Sequence, residues 1–457
     1  MRNTGTLGAI AFGLALMVLP GSGASTADPG AVGPYAVGHI SLMLLDSSRD
    51  QLSPYHGRPI YVSVFYPADG SAITTATPEA LYPLDPVAGR WPMSRSSQWE
   101  RYGLDRAYEG VPVAGDRPFP LLMYSPGWSS AYYSGLFAST RMASHGFVVA
   151  ALTHYADGAY PWDPWPAIHV ADVNRPRDIS FALSTILAMN DARGTLLADA
   201  INPDQVAATG HSLGGYAALV LAGGDDSHCD RPVNEPRGLP IPPETCIGTV
   251  PDPRIKATVT FDGSSQILWF PELARITTPA MVVGQAWETV GAWHAREHAA
   301  IAAQPNYRVD VGGALHPSFT TFCENARVLG DVGALTPAQV AARLSQPWCT
   351  TALPAPEVQR LATKYAIAFL KTHLAGETGY QHILTPGWAI TAEQNIEFFV
   401  TEKTNAHATS ENLPCMVPTC PTFGYFPNQA GSQREQAERD PARLTPAIEL
   451  PYRDDGQ

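Results

Sequence analysis

The chain has 457 residues, 45% of them hydrophobic and 16% charged, which describes a globular protein with an ample core and excludes a disordered one. A formal charge of −13 argues against nucleic acid as a partner and against docking on an anionic membrane, since little here would displace counterions from phosphates. An acidic excess of this size favours a soluble monomer.

The N-terminus opens with Arg2 and the apolar run LGAIAFGLALMVL, followed by Pro20 and the small-residue segment GSGASTA. That order has the form of a secretory signal peptide, with cleavage expected near Ala24 or Ala27, so residues 1–27 are expected to be a leader. The run is too short to span a bilayer comfortably, and no cysteine follows it to carry a lipid anchor. The expectation is a secreted or periplasmic protein with no stable membrane anchor. In such a compartment the chain's six cysteines should be paired, and proximity suggests Cys229–Cys246, Cys323–Cys349 and Cys415–Cys420.

From about residue 59 to 375, β-type apolar runs alternate with helical patterns, which implies an α/β fold: a mostly parallel sheet with helices on both faces. The expected strands are 59–66, 120–125, 147–153, 206–210, 255–261, 280–284 and 307–311. The expected helices are 133–144, 178–190, 213–222, 293–302 and 358–374. Residues 67–118 and 223–253 are proline-rich insertions, the second enclosing Cys229 and Cys246. The domain reading is therefore a catalytic unit over 28–375 and a C-terminal appendage over 376–457. That appendage holds an aromatic patch (Trp388, Phe398, Phe399) and ends in a loose polar tail.

The stretch VAATGHSLGGYAALVLAGG carries the chemistry. Its small and β-branched lead-in, the pentapeptide Gly210-His211-Ser212-Leu213-Gly214 and the alanine-leucine run read as strand, sharp turn, helix. This is the context in which G-x-S-x-G presents a nucleophilic serine. The partners of Ser212 should follow strand ends, where open α/β sheets gather their chemistry. His316, in YRVDVGGALHPSF, follows the last core strand and is the expected base. His154 precedes the serine and suits a pocket wall, while His211 lies inside the turn and should point away. Asp262, in FDGSS after KATVTF, is the expected acid. Glu288 is its rival one strand later, and Asp310, inside its strand, is a weaker choice. The order Ser212, Asp262, His316 is nucleophile, acid, base, as in α/β-hydrolases.

Oxyanion donors are expected from the backbone N–H groups of Leu213 and of Trp128, in SPGW after the strand FPLLMYS. Tyr132, Tyr133, Tyr155, Tyr160, Trp162 and Trp165 cluster near these strand ends and form an expected aromatic pocket lining. His294-Ala295-Arg296-Glu297-His298 fits the zinc pattern H-x-x-E-H, but no third ligand is identifiable and the stretch falls on an expected crossover helix. No metal and no organic cofactor is expected.

In chain order, IYVSVFYPADG, FPLLMYSPGW, ASHGFVVAALTH, ATGHSLGG, TFDGSSQILWFPEL and GALHPSF make the chain resemble α/β-hydrolases of the platelet-activating-factor acetylhydrolase (plasma/type II) family over about residues 59–375. The SPGW and ASHGFVV segments look, more loosely, like secreted cutinase-type polyester hydrolases. The resemblance implies a serine ester hydrolase favouring short or truncated acyl groups, and it favours Asp262, which precedes a tryptophan and Phe-Pro, over Glu288. One departure is Pro126-Gly127, where those acetylhydrolases usually carry a His-Gly pair. The alternatives are a polyester or cutin depolymerase of the same chemistry and an inactive hydrolase fold serving as a binding module.

Overall fold

A computed structural model describes Met1 and residues 27–50, 53–85, 92–115, 118–157, 168–224, 251–263, 268, 270–286 and 292–401. In chain order the strands are β1 (Ala36–Asp46), β2 (Arg58–Ala68), β3 (Leu81–Pro83), β4 (Met93–Arg95), β5 (Ala107–Glu109) and β6 (Phe119–Ser125). They continue with β7 (Val148–His154), β8 (Ile201–His211), β9 (Ile255–Phe261), β10 (Ala280–Gln285), β11 (Asn306–Val311) and β12 (Ile396–Thr401). Ten of them form one sheet in the order β12-β11-β10-β9-β8-β6-β7-β2-β1-β5, and β3 with β4 makes a separate ribbon. The run β7-β6-β8-β9-β10-β11 is parallel throughout. Antiparallel β2 and β12 extend it on either side.

The parallel strands are buried on both faces. Every residue of β6 (FPLLMYS) and β7 (VVAALTH) is buried, which is why these segments read as unbroken apolar runs without a period of two. Their side chains still alternate. Leu122 and Tyr124 pack with helices Leu136–Ser144 and Ala355–His373, while Leu121 and Met123 pack with helices Ile168–Asp191 and Leu213–Leu221. The outcome is the α/β architecture that the sequence implied, a mostly parallel sheet with helices on both faces.

All the expected strands are present, most a residue or a few longer than expected. The insertion after β2 is more ordered than its composition suggested. It supplies β3, β4, β5 and a short helix, Ser96–Glu100, whose Trp99 is buried and donates its indole N–H to Ser94 Oγ at 2.9 Å. The segment after residue 376 supplies β12, which pairs with β11 in the main sheet and seats Phe398 5.4 Å from Tyr365, centroid to centroid. The expected leader, apart from its two end residues, lies outside the described residues, as do Cys229–Cys246, Cys415–Cys420 and the polar tail. Among the described residues no helix is long and apolar enough to cross a membrane.

Candidate active site

β8 ends at His211 and the next helix begins at Leu213, leaving Ser212 alone at the junction with φ 53° and ψ −120°. Such a backbone costs a non-glycine residue on the order of 1–3 kcal/mol and persists only where its surroundings impose it. Here the Ser212 N–H donates to the Phe261 carbonyl at 3.1 Å, and its own carbonyl accepts from the Tyr216 N–H at 3.2 Å. A Cβ on Gly214 would stand 1.9 Å from the Ser125 carbonyl oxygen, so only glycine lets the helix start this close to β6. The spacing of the pentapeptide thus has a steric cause.

The expected acid and base meet. His316 begins a short 3-10 turn just beyond β11, and its Nδ1 donates to Asp262 Oδ2. Asp262 follows β9 directly and also has a positive φ, 47°. The imidazole is 29% exposed and the carboxylate 1%, so the pair runs from the interior out to solvent. Asp262 accepts further bonds from the Gln285 N–H at 2.9 Å, from Gln285 Nε2 at 2.9 Å and from His294 Nε2 at 2.7 Å. Burial alone would raise its pKa. The charge and hydrogen bonds of His294 and His316 outweigh that and hold it well below the usual carboxylate range. His294 shows the converse: burial opposes its charge, but Asp262 and then Glu297 push it up to about 10. The acid is therefore a carboxylate at neutral pH, shared between two imidazoles.

His211 does not point away. Its ring centroid lies 4.5 Å from that of His316, and its Nε2 donates to the His316 carbonyl at 3.1 Å. Burial, reinforced by His316, pushes its pKa down to about 3, so it acts as a neutral prop for the base. No feature of the sequence spacing signals this contact.

The loop after β6 lies against the serine. A Cβ on Gly127 would stand 3.3 Å from Ser212 Cβ and 2.9 Å from His211 Nδ1, which requires glycine there. Trp128 follows, half-buried at the edge of the core, and Leu213 is buried at the first turn of its helix. Behind this loop sits a second Ser-His-Asp set. Ser125 Oγ bonds His154 Nε2 at 2.9 Å, and His154 Nδ1 bonds Asp178 Oδ2 at 2.9 Å. Asp178 also accepts from Arg58 Nε at 2.8 Å and Nη2 at 2.9 Å, and pairs with Arg49 at 2.8 Å. Ser125, His154 and Asp178 are all at most 1% exposed, so this set is a structural network, and His154 is not the pocket-wall residue it was expected to be. Access separates the two constellations.

Among the aromatic candidates, Tyr132 is corrected to a core residue. It is fully buried against Tyr61 and Tyr133, and its hydroxyl donates to the Pro83 carbonyl at 3.0 Å, a bond the long excursion after β2 supplies. Tyr133 is buried as well. Tyr155 is half-buried, edge-on to Tyr55 at 5.7 Å. Tyr160, Trp162, Trp165 and the rival acid Glu288 lie outside the described residues. Asp310 is buried within β11 beside Arg308, 3.2 Å away, and burial raises its pKa to about 6.

The two histidines of H-x-x-E-H face different partners: His294 bonds Asp262, and His298 Nε2 donates to the Asn306 carbonyl at 3.1 Å. Among the described residues no group of three or more His, Cys, Asp or Glu could hold a metal ion. Cys323 and Cys349 form a disulfide with Cα atoms 5.8 Å apart. It ties helix Phe322–Asp331, just beyond the His316 turn, to the short helix Pro347–Thr350.

No family model and no curated protein matches the chain. Solved structures similar to it include the ferulic acid esterase from Streptomyces cinnamoneus, at 17% identity and a TM-score of 0.49, over 77% of this chain and 93% of that one.

Proposed function

We propose that the chain is an exported serine carboxylic-ester hydrolase working through an acyl-enzyme. The observation that carries this reading is a positive-φ serine at a strand–helix junction, its neighbour His211 packed 4.5 Å from His316, and that partly exposed imidazole bonded to a buried carboxylate. His316 takes the Ser212 proton as the oxygen attacks an ester carbonyl, and Asp262 fixes the imidazole and stabilises its charged form. The oxyanion accepts from the backbone N–H groups of Leu213 and Trp128. His316 then returns its proton to the departing alcohol, the same histidine activates water, and the acid is released.

Export is supported by the form of the leader and by the disulfide. The motif resemblance supports short or truncated acyl esters as substrates, phospholipid-type ones included. The test is a panel of short p-nitrophenyl esters, truncated phospholipids and polyester film, each run against matched Ser212→Ala protein. Turnover of the short esters that falls on the order of 10⁵-fold in the variant supports the reading. Equal turnover by both proteins ends it, and preferential release from film moves the substrate class to polymers.

A further inference from the structure

The loop expected to supply the Trp128 N–H is gripped from behind by one buried cation. Arg175 is fully buried. Its Nη1 donates to the Pro126 carbonyl and, at 3.3 Å, to Ser125 Oγ, while its Nη2 donates to the Gly127 carbonyl at 2.8 Å. The guanidinium is anchored in turn by Asp157, which it reaches through both Nε and Nη2. The Asp157 carbonyl accepts from the Ser129 N–H at 3.1 Å, so the anchor and the far end of the loop are also joined.

Peptide geometry gives this grip a consequence. In a planar trans peptide the carbonyl and the following N–H point in opposite directions. A guanidinium that draws the Gly127 carbonyl toward itself therefore turns the Trp128 N–H away from itself, and its hold on Pro126 does the same to the Gly127 N–H. Gly127 is the residue whose missing side chain would touch Ser212.

We infer that Arg175 is a positioning residue that aims the backbone donors of the Gly127–Trp128 loop at the oxyanion formed on Ser212, an inference that rests on the ester-hydrolase reading. The planar fork suits two adjacent carbonyls as a point charge does not. Asp178, one turn on along the same helix and equally buried, fixes His154, which holds Ser125 at the root of the loop. The buried Ser125-His154-Asp178 set thereby gains a purpose as the footing of this loop.

The test measures kcat and KM on a soluble short-chain ester for the wild type, Arg175→Lys, Arg175→Met and Asp157→Asn, well below each protein's melting point. It also measures affinity for a boronic acid that mimics the tetrahedral adduct. Misaiming one donor should lower kcat about 10²-fold with KM changed less than about threefold, and boronate affinity should fall in step with kcat/KM. If Arg175→Met does not fold, Asp157→Asn, which keeps the guanidinium but releases its anchor, carries the test with a loss of about tenfold. Folded variants that keep wild-type kcat and boronate affinity overturn the inference. Failure of the ester-hydrolase reading looks different: wild-type protein would then show no turnover dependent on Ser212, and the positioning role would go with it.

Discussion

Replacing His294 with glutamine removes a buried cation from Asp262 while keeping a donor of similar reach. In the native protein His294 Nε2 lies 2.7 Å from Asp262 Oδ1, its Nδ1 lies 3.8 Å from Glu297 Oε2, and the buried Asp310 also feels its charge. Deleting one partner of a buried ion pair costs about 3–5 kcal/mol, and the retained donor places this variant near the lower end. For a chain of this length that is a fall in Tm of roughly 4 °C near pH 6. The folded-state value, about 10, lies above the ordinary 6.5. The contribution is therefore complete below pH 6.5 and disappears as pH rises through 10. Calorimetry of both proteins from pH 6 to 10 should show a gap that narrows steadily. Above pH 10 both should weaken together, because burial raises Tyr82 and Tyr124 above their usual pKa and unfolding frees them to ionise. A gap of constant size from pH 6 to 10 would refute the charged pair.

Other changes read out separate parts of the structure. Gly214→Ala places a methyl against the Ser125 carbonyl, so purified variant should lose about 1–3 kcal/mol of stability in denaturant titration and most of its ester turnover. Asp178→Asn strips the carboxylate shared by Arg58, Arg49 and His154, and denaturant titration should show a loss of about 3–5 kcal/mol. Replacing both Cys323 and Cys349 by serine opens a loop with a sequence separation of 26, worth roughly 3.5 kcal/mol in chain entropy. Because that bridge lies just beyond the His316 turn, kcat should fall with it; unchanged melting and turnover would separate the bridge from the base.

The central strands were legible because sheet burial on both faces leaves its mark as unbroken apolar runs. β1 was not, because residues such as Ser41 and Met43 face solvent and its pattern is broken by exposure. β12 was hidden for another reason: IEFFVT lies in a segment whose composition suggested a separate unit, and only pairing with β11 shows where it belongs. The positions of Ser212, Asp262 and His316 could be read because each follows a strand end, and strand ends are local features. Their supports could not. His294 lies 32 residues from Asp262 and Arg175 lies 48 from Gly127, and neither sequence separation carries a periodic signal. His211 failed for a similar reason, since the reversal at Ser212 sets its ring against a residue 105 positions later.

Ser212, made nucleophilic by His316, should react where Ser125, buried and bonded to His154 at 2.9 Å, does not. Treating the protein with a fluorophosphonate and mapping the adduct by peptide mass spectrometry tests this directly. The expected result is a single stoichiometric adduct on the peptide containing Ser212, absent in Ser212→Ala and formed far more slowly in His316→Ala. An adduct on Ser125, or labelling unchanged by loss of Ser212, would contradict it.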